Sequence, residues 1–407
     1  MVKAKTKPIA EQHIAVFGTA RSGKTTLLSA FYGITQEAGY LRDKPYTVVP
    51  SNHGEAAELK RNYTKVRDSG AFPEVTDRLG AHEHRFSVFL RNDITTGLFG
   101  RTREITPTKN SKPFAAMQLV WHDYPGEWLE ELPTDEAERA KRISTLKTML
   151  TAQVALLLID GQKLADHTGN EGSYLREALS TYNRALVDAR DDILENGKQL
   201  LKFPRIWVIG LSKADLLPDV TAAQLRKLIL RHASDEIAAL HETIKTYAKV
   251  DKALSVGEDY LLLSTHPDTL QQITTDSHKG RGRSNLPNGL EILLPLAAVL
   301  PFERHMKWAK RLALPAPLTS MLVQGASFAA LALFSGKIKV LPAPLRWAFS
   351  LLGSAGVERG IRYAGDRLKE TTEGSKQRSK VLELALDNFQ REIEKAEANG
   401  VLLHSKI

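Results

Sequence analysis

Residues 18 to 25, GTARSGKT, match the pattern Gly-x-x-x-x-Gly-Lys-Ser/Thr in full. Gly18 and Gly23 allow backbone N–H groups to turn toward a phosphate without an obstructing side chain. The ammonium of Lys24 would neutralise phosphate oxygens, and the hydroxyl of Thr25 is a ligand for Mg²⁺. This segment, the phosphate loop, predicts a site for a nucleoside phosphate. The residues predicted to bind it are Gly18, Ser22, Gly23, Lys24, Thr25 and Thr26.

Two shorter segments could act on the same ligand. The DYPG turn (residues 123 to 129) begins with Asp123 and Gly126 in the spacing Asp-x-x-Gly, which can bind a metal and sense a phosphate. The SKAD loop (residues 212 to 215) resembles the guanine-reading motif Asn/Thr-Lys-x-Asp, in which the final carboxylate, here Asp215, accepts two hydrogen bonds from guanine N1–H and the 2-amino group. Adenine has neither donor there. Ser264 and Thr265 come last and would contact the base, or form an ordinary turn.

The elements around these segments alternate between strand and helix patterns. HIAVFG (13–18), VALLLID (154–160), RIWVIGL (205–211) and YLLLS (260–264) are apolar runs typical of buried parallel strands. Helical patterns cover 24–38, 135–150, 172–196 and 222–248. Strands are also predicted at 83–90 and 114–122, and these two should pair antiparallel because no helix separates them. The chemistry-bearing segments follow strands, so an α/β fold would gather them at one edge of its sheet.

Composition limits the classes of protein that this chain can represent. The 407 residues contain no cysteine, which excludes disulfides and thiolate metal sites and suits the cytoplasm. The net charge of +9 is concentrated between residues 301 and 380, where 14 Lys/Arg face five Asp/Glu. The basic start lacks the apolar stretch of a secretory signal. SHKGRGRSN (277–285) is basic, but it lacks the interleaved aromatics of a strong nucleic-acid site.

The chain changes character after about residue 290. Leu312 to Ser335 carries no charge, and a second apolar run spans Val340 to Val357, so we predict a helical hairpin over 312–357. It would contact a membrane surface or a membrane protein, or be buried in the fold.

The predicted divisions are a flexible basic leader (1–11), a nucleotide domain (12–275), a Gly/Arg loop (276–290) and a helical region (291–407) ending in an amphipathic helix over 376–397.

The three motifs in this order resemble the Ras-like GTPase fold. More narrowly, DYPGEWLEELP (123–133), together with the phosphate loop, is similar to the YcjX-like GTPases of bacteria, over about residues 13–270. The resemblance implies a Ras-like P-loop domain with a mostly parallel sheet of about six strands and helices on both faces, binding GTP or GDP with Mg²⁺. It implies that Asp123 holds the metal through water and that the N–H of Gly126 senses the γ-phosphate. Ser212 stands at the first position of the guanine-reading motif, where Asn or Thr is usual.

The resemblance also assigns roles in hydrolysis. Lys24 would act on the phosphates, and Glu127 stands where a glutamine commonly orients the attacking water. A carboxylate there can act as a base, but it adds negative charge beside the γ-phosphate. Glu127 would therefore support only slow hydrolysis of GTP, point away from the site until a partner binds, or have a structural role. Arg21 would be an internal arginine finger or a solvated side chain. Trp128 is expected to pack the turn in place. Thr76 is the predicted third metal ligand, with Thr47 and Thr64 as rivals.

The predicted function is therefore a slow GTPase switch in the cytoplasm, at or near the cytoplasmic face of the inner membrane. A nucleotide-binding scaffold with negligible turnover and a P-loop ATPase are the alternatives. GTPases of this fold can dimerise through their switches, so a homodimer is a further partner to test.

Overall fold

The computed structural model describes residues 11–71, 82–91, 93–96, 102–104, 114–200, 203–248, 252–268, 270, 288–311 and 372–405. Several of the predictions lie outside these residues: the leader up to residue 10, Thr76, most of the Gly/Arg loop and the apolar hairpin. They stay predictions, as does the division of the chain into domains.

Eight of the described strands form one sheet. They are β1 (Glu11–Phe17), β2 (Tyr46–Pro50), β3 (His82–Leu90), β6 (Phe114–Asp123), β7 (Val154–Asp160), β8 (Ile206–Ser212), β9 (Ser255–Leu262) and β10 (Leu402–Leu403). The spatial order is β10-β9-β8-β7-β1-β6-β3-β2. The five strands from β9 to β6 are parallel, whereas β3 is antiparallel to β6, as predicted. A separate hairpin joins β4 (Ile94–Thr96) to β5 (Thr102–Glu104).

The middle of the sheet is covered on both faces. All seven residues of β7 and all seven of β8 are buried. Side chains alternate between the two faces of a strand, so complete burial requires packed structure above and below. The predicted central strands VALLLID and RIWVIGL are therefore confirmed.

Helices connect these strands. Their bounds are α1 (Lys24–Thr35), α2 (Ala38–Asp43), α3 (His53–Ser69), α4 (Glu136–Met149), α5 (Gly161–Asp166), α6 (Glu171–Ile193), α7 (Ala222–His232), α8 (Ser234–Tyr247), α9 (Leu293–Arg311) and α10 (Thr372–Ala398). Of the helices within the described ranges, none combines the length and apolar character needed to cross a bilayer.

The C-terminal elements complete the same hydrophobic core. Phe389 of α10 packs against Tyr46 of β2 with ring centroids 4.9 Å apart. Arg304 of α9 is fully buried and donates hydrogen bonds to Asp259 and Ser255 of β9. The backbone N–H of Ser405, just after β10, also donates to Asp259 at 3.1 Å. One buried carboxylate thus joins two C-terminal segments to the sheet.

Two parts of the sequence interpretation need correction. The sheet has eight strands rather than about six, since β2 and β10 extend its two ends. The polar interval between the predicted helix at 24–38 and the predicted strand at 83–90, for which no element was predicted, contains both β2 and α3. Only Ala56, Leu59, Tyr63 and Val66 of the 17 residues of α3 are buried, so its helical period is carried by few apolar positions.

Candidate nucleotide site

The phosphate loop connects β1 to α1 and has an unusual backbone. Arg21 and Gly23 both lie in the left-handed region, with φ of 61° and 91°. Glycine adopts this conformation readily, whereas for arginine it costs energy and is typical of a functional loop. Left-handed residues within such a loop turn successive N–H groups inward to form an anion-binding nest. The N-terminus of α1 begins at Lys24 and adds the positive end of its dipole.

Lys24 is held at the base of this nest. Its side chain is only 6% exposed, and Nζ donates to the carbonyl oxygens of Gly18 at 2.8 Å and Thr19 at 3.0 Å. Burial lowers the pKa of the Lys24 ammonium, while the carboxylates of Asp123, Glu127 and Glu130 act in the opposite direction. The ammonium therefore stays close to the backbone that would surround a phosphate.

Asp123 and Thr25 meet where β6 ends beside the start of α1. The Thr25 hydroxyl donates to Asp123 Oδ2 at 3.1 Å, and Oδ1 accepts the N–H of Tyr124 at 2.9 Å. A hydroxyl and a carboxylate are oxygen ligands of the kind that Mg²⁺ takes, usually with phosphate and water completing its shell. The pair fits a magnesium site, although within the described ranges no three His, Asp or Glu side chains are grouped to hold a metal.

The DYPG turn lies directly on the phosphate loop. A Cβ added to Gly126 would stand 2.4 Å from both the nitrogen of Ala20 and the carbonyl carbon of Thr19. Only glycine permits this approach, because those atoms belong to the backbone and cannot move aside. The Tyr124 hydroxyl also accepts the N–H of Gly18 at 3.0 Å. Burial raises the pKa of the Tyr124 phenol, which keeps it a neutral hydroxyl.

Trp128 is the packing residue that the sequence predicted. It is 7% exposed and its ring lies tilted beside that of Tyr124, with the Arg142 guanidinium 5.7 Å from its ring centroid. Arg142 also donates to the carbonyl oxygens of Trp128 and Glu131. A buried cation from α4 therefore holds the end of the turn in position.

Two carboxylates, Glu127 in the DYPG turn and Glu130 just after it, have different surroundings. Glu127 lines the cleft described below. Glu130 accepts the N–H of Ala20 at 2.8 Å, and its other oxygen lies 3.7 Å from Lys163 Nζ. The contact of Glu130 was not predicted, since no motif assigns a role to the fourth residue after Gly126.

The SKAD loop follows β8 and reaches across to the phosphate loop. Lys213 has φ of 49°, and its Nζ donates to the carbonyl oxygen of Arg21 at 3.1 Å. Asp215 Oδ1 accepts the Ser264 hydroxyl at 2.6 Å, which orients the carboxylate. Ser212 is buried and donates to the carbonyl oxygen of Ile159 at 3.3 Å, so it ties the loop to β7.

These segments enclose a cleft of about 560 Å³ at the carboxyl ends of the parallel strands. That is the usual ligand position in open α/β sheets. The predicted residues that line it are Arg21, Gly23, Lys24, Thr25, Thr26, Gly126, Glu127, Ser212, Lys213, Asp215 and Thr265. The described lining does not include Gly18, Ser22, Asp123 or Ser264, nor the rivals Thr47 and Thr64. The first four lie beside the lining, whereas Thr47 and Thr64 lie in β2 and α3.

Further lining residues escaped the sequence interpretation. They are Ala20, Leu27, Tyr124, Gln162, Leu216 and His266. Gln162 and His266 each stand shortly after the carboxyl end of a parallel strand. That position in the sequence could have identified them as candidate site residues.

Comparisons with known proteins give little further information. No protein-family model matches the chain, and no curated protein matches it significantly. Among solved structures, it is similar to Roco2 RocCORdC of Methanosarcina barkeri bound to GDP, at 9% sequence identity and a TM-score of 0.22, covering 97% of this chain and 94% of that one. A likeness at this TM-score carries no weight for function, which is argued below from the residues of the cleft.

Proposed function

We propose that this protein binds a guanine nucleotide with Mg²⁺ in the cleft and slowly hydrolyses GTP to GDP and phosphate. The observation that carries the proposal is the hydrogen bond from Lys213 to Arg21, which joins the SKAD loop to the phosphate loop. The phosphate loop and the SKAD loop are at least 187 residues apart in sequence, and the sequence predicted a nucleotide-binding role for each. Both line one cleft of nucleotide size.

Asp215 is the group proposed to read the base. A carboxylate offers about four acceptor positions, so the hydrogen bond from Ser264 still allows it to accept both guanine donors. Thr265 lies beside it in the cleft wall and would approach the base from the next strand end.

Hydrolysis would depend on the DYPG turn. The contact of Gly126 with the phosphate loop supports its proposed role as the γ-phosphate sensor, and Thr25 with Asp123 would hold Mg²⁺. Bound Mg²⁺ supplies charge neutralisation on the phosphates. Glu127 and Arg21 both line the cleft and are the candidates for positioning water and stabilising charge. A Ras-like GTPase is the protein class that we propose from this arrangement, and the segment DYPGEWLEELP is what favours a YcjX-like member.

Asp215→Asn is the direct test of base recognition. We expect the variant to bind GTP at least about 100-fold more weakly, because asparagine loses the charge and replaces one of the two acceptor oxygens with an amide group that cannot accept from guanine. It should bind XTP better than wild type does, since the asparagine amide can donate to the 2-oxo group of xanthine. Equilibrium titration with fluorescent nucleotides measures both affinities.

Asp219→Asn, four residues further along the chain, makes the same change outside the cleft lining. It should leave both affinities unchanged. Equal affinity of wild type for ATP and GTP, unaltered in Asp215→Asn, would instead identify a P-loop protein of another class. Single-turnover hydrolysis of bound GTP then separates a slow enzyme from a scaffold without turnover.

The proposed membrane role rests on the uncharged run from Leu312 to Ser335 and the basic residues that flank it. We expect the full chain to float with vesicles of anionic lipid, and to be released by high salt more readily than an inserted protein would be. Flotation with neutral vesicles is the control. Recovery of all protein in the unbound fraction at low salt would contradict a place at the cytoplasmic face of the inner membrane.

Size-exclusion chromatography with and without nucleotide tests the homodimer.

A further inference from the structure

Asp160 is a buried carboxylate beside the cleft to which the sequence assigned no role. It is the last residue of β7 and lies opposite Ser212 in the register of β7 with β8. Its side chain is 2% exposed, and its Oδ1 accepts the N–H of Gln162 at 2.9 Å. Its backbone N–H donates to the Tyr174 hydroxyl at 2.8 Å, so the residue is fixed in place.

The second oxygen of Asp160 binds Lys213. Lys213 Nζ donates to Asp160 Oδ2 at 2.8 Å and to the Arg21 carbonyl oxygen at 3.1 Å. A buried carboxylate is costly to the fold unless it is paired, so Asp160 constrains the ammonium of Lys213 strongly. If the lysine left this position, the negative charge of the Asp160 carboxylate would be buried without a partner.

The backbone around this pair is also tightly packed. A Cβ added to Gly161 would stand 2.4 Å from the carbonyl oxygen of Ser212 and 2.8 Å from that of Lys213. Lys213 and Arg21 both have left-handed backbones, a strained state that surrounding contacts must maintain. Asp160 supplies one such contact to Lys213, and the Lys213 ammonium supplies another to the carbonyl oxygen of Arg21.

We propose that Asp160 is a positioning residue for the nucleotide site. Through Lys213 it fixes the distance between the SKAD loop and the phosphate loop, so that the base and the phosphates of one nucleotide are held together. This role deepens the proposed function and rests on it for the identity of the ligand.

A double-mutant cycle tests whether Asp160 acts through Lys213. Wild type, Asp160→Asn, Lys213→Met and the double variant are titrated with fluorescent GDP. Asparagine keeps the size of the side chain and an acceptor for Gln162 but loses the charge, so we expect roughly tenfold weaker binding. In the Lys213→Met background the same change should weaken binding no further. Additive losses, or an unchanged affinity of Asp160→Asn, would overturn the proposal.

Hydrogen exchange without nucleotide gives an independent measurement. Asp160→Asn should speed amide exchange in peptides covering both 18–24 and 212–216, whereas Asp192→Asn, an exposed carboxylate on α6, should not. If wild type binds no nucleotide, the proposed function fails, and exchange alone then decides the positioning role. Unchanged exchange in the phosphate loop would refute it. Circular dichroism establishes that each variant is folded before either measurement is interpreted.

Discussion

Lys24→Ala is expected to bind GTP and GDP at least about 100-fold more weakly than wild type, because charge-assisted hydrogen bonds to the phosphates are lost. The ammonium of Lys24 already lies within 3.0 Å of two carbonyl oxygens of the phosphate loop. It therefore needs little rearrangement to reach a phosphate bound in the nest. Titration with fluorescent nucleotides measures the loss.

The same substitution should cost little stability. Burial lowers the pKa of Lys24, which means that the folded state disfavours the charged side chain. Alanine removes that penalty together with the hydrogen bonds, so the two effects oppose one another, as is common at functional sites. Lys163→Ala removes a lysine that is 42% exposed and close to Glu130, and it should retain most of the affinity. Equal affinities for the two variants would show that the phosphate loop is not the binding site.

Arg304→Ala is expected to give the largest loss of stability, about 3–5 kcal/mol, because it leaves a buried carboxylate unpaired. Arg304 and Asp259 are both 0% exposed, and the guanidinium also donates to Ser255 and Glu258. A loss of this size is a large part of the total for a typical domain. Urea denaturation followed by tryptophan fluorescence measures it.

Arg190→Ala is the matched control for this experiment. Arg190 pairs with Asp191 at the surface, with side chains 41% and 87% exposed, so its removal should change stability by less than about 1 kcal/mol. The double variant Arg304→Ala, Asp259→Ala should recover part of the loss, since no buried charge remains. Similar unfolding midpoints for Arg304→Ala and Arg190→Ala would mean that the buried pair does not hold α9 on the sheet.

The sequence predicted those parts of the site that are continuous in the chain. The phosphate loop is one motif of eight residues, which can be identified directly in the sequence. The strands β7 and β8 could be predicted because a fully buried strand is a continuous run of apolar residues. The contacts of Asp160 and Glu130 could not be predicted in this way. Asp160 meets a lysine 53 residues away, and Glu130 meets an amide 110 residues away. Such pairs depend on which strands become neighbours, and hydrophobic period gives no information about that order.

The ends of the sheet were missed for a related reason. β10 has two residues, and its pairing with β9 is defined by Leu402 and Leu403 against Leu261 and Tyr260. No pattern of two residues predicts a strand. β2 has only five residues, and only four of the 17 residues of α3 are buried, so neither gives a long periodic apolar pattern.

The pairing of β9 with β10 has a consequence for synthesis of the chain on the ribosome. Leu261 and Leu402 are neighbours in the sheet but are separated by about 140 residues of chain. At roughly 5–20 residues per second, translation needs about 7–30 s to deliver the second strand after the first. Throughout that interval β9 has an unpaired edge, which is a template for association with other chains. The nascent protein therefore passes through a period in which it should bind chaperones at β9, and that period ends when Leu402 and Leu403 reach the sheet.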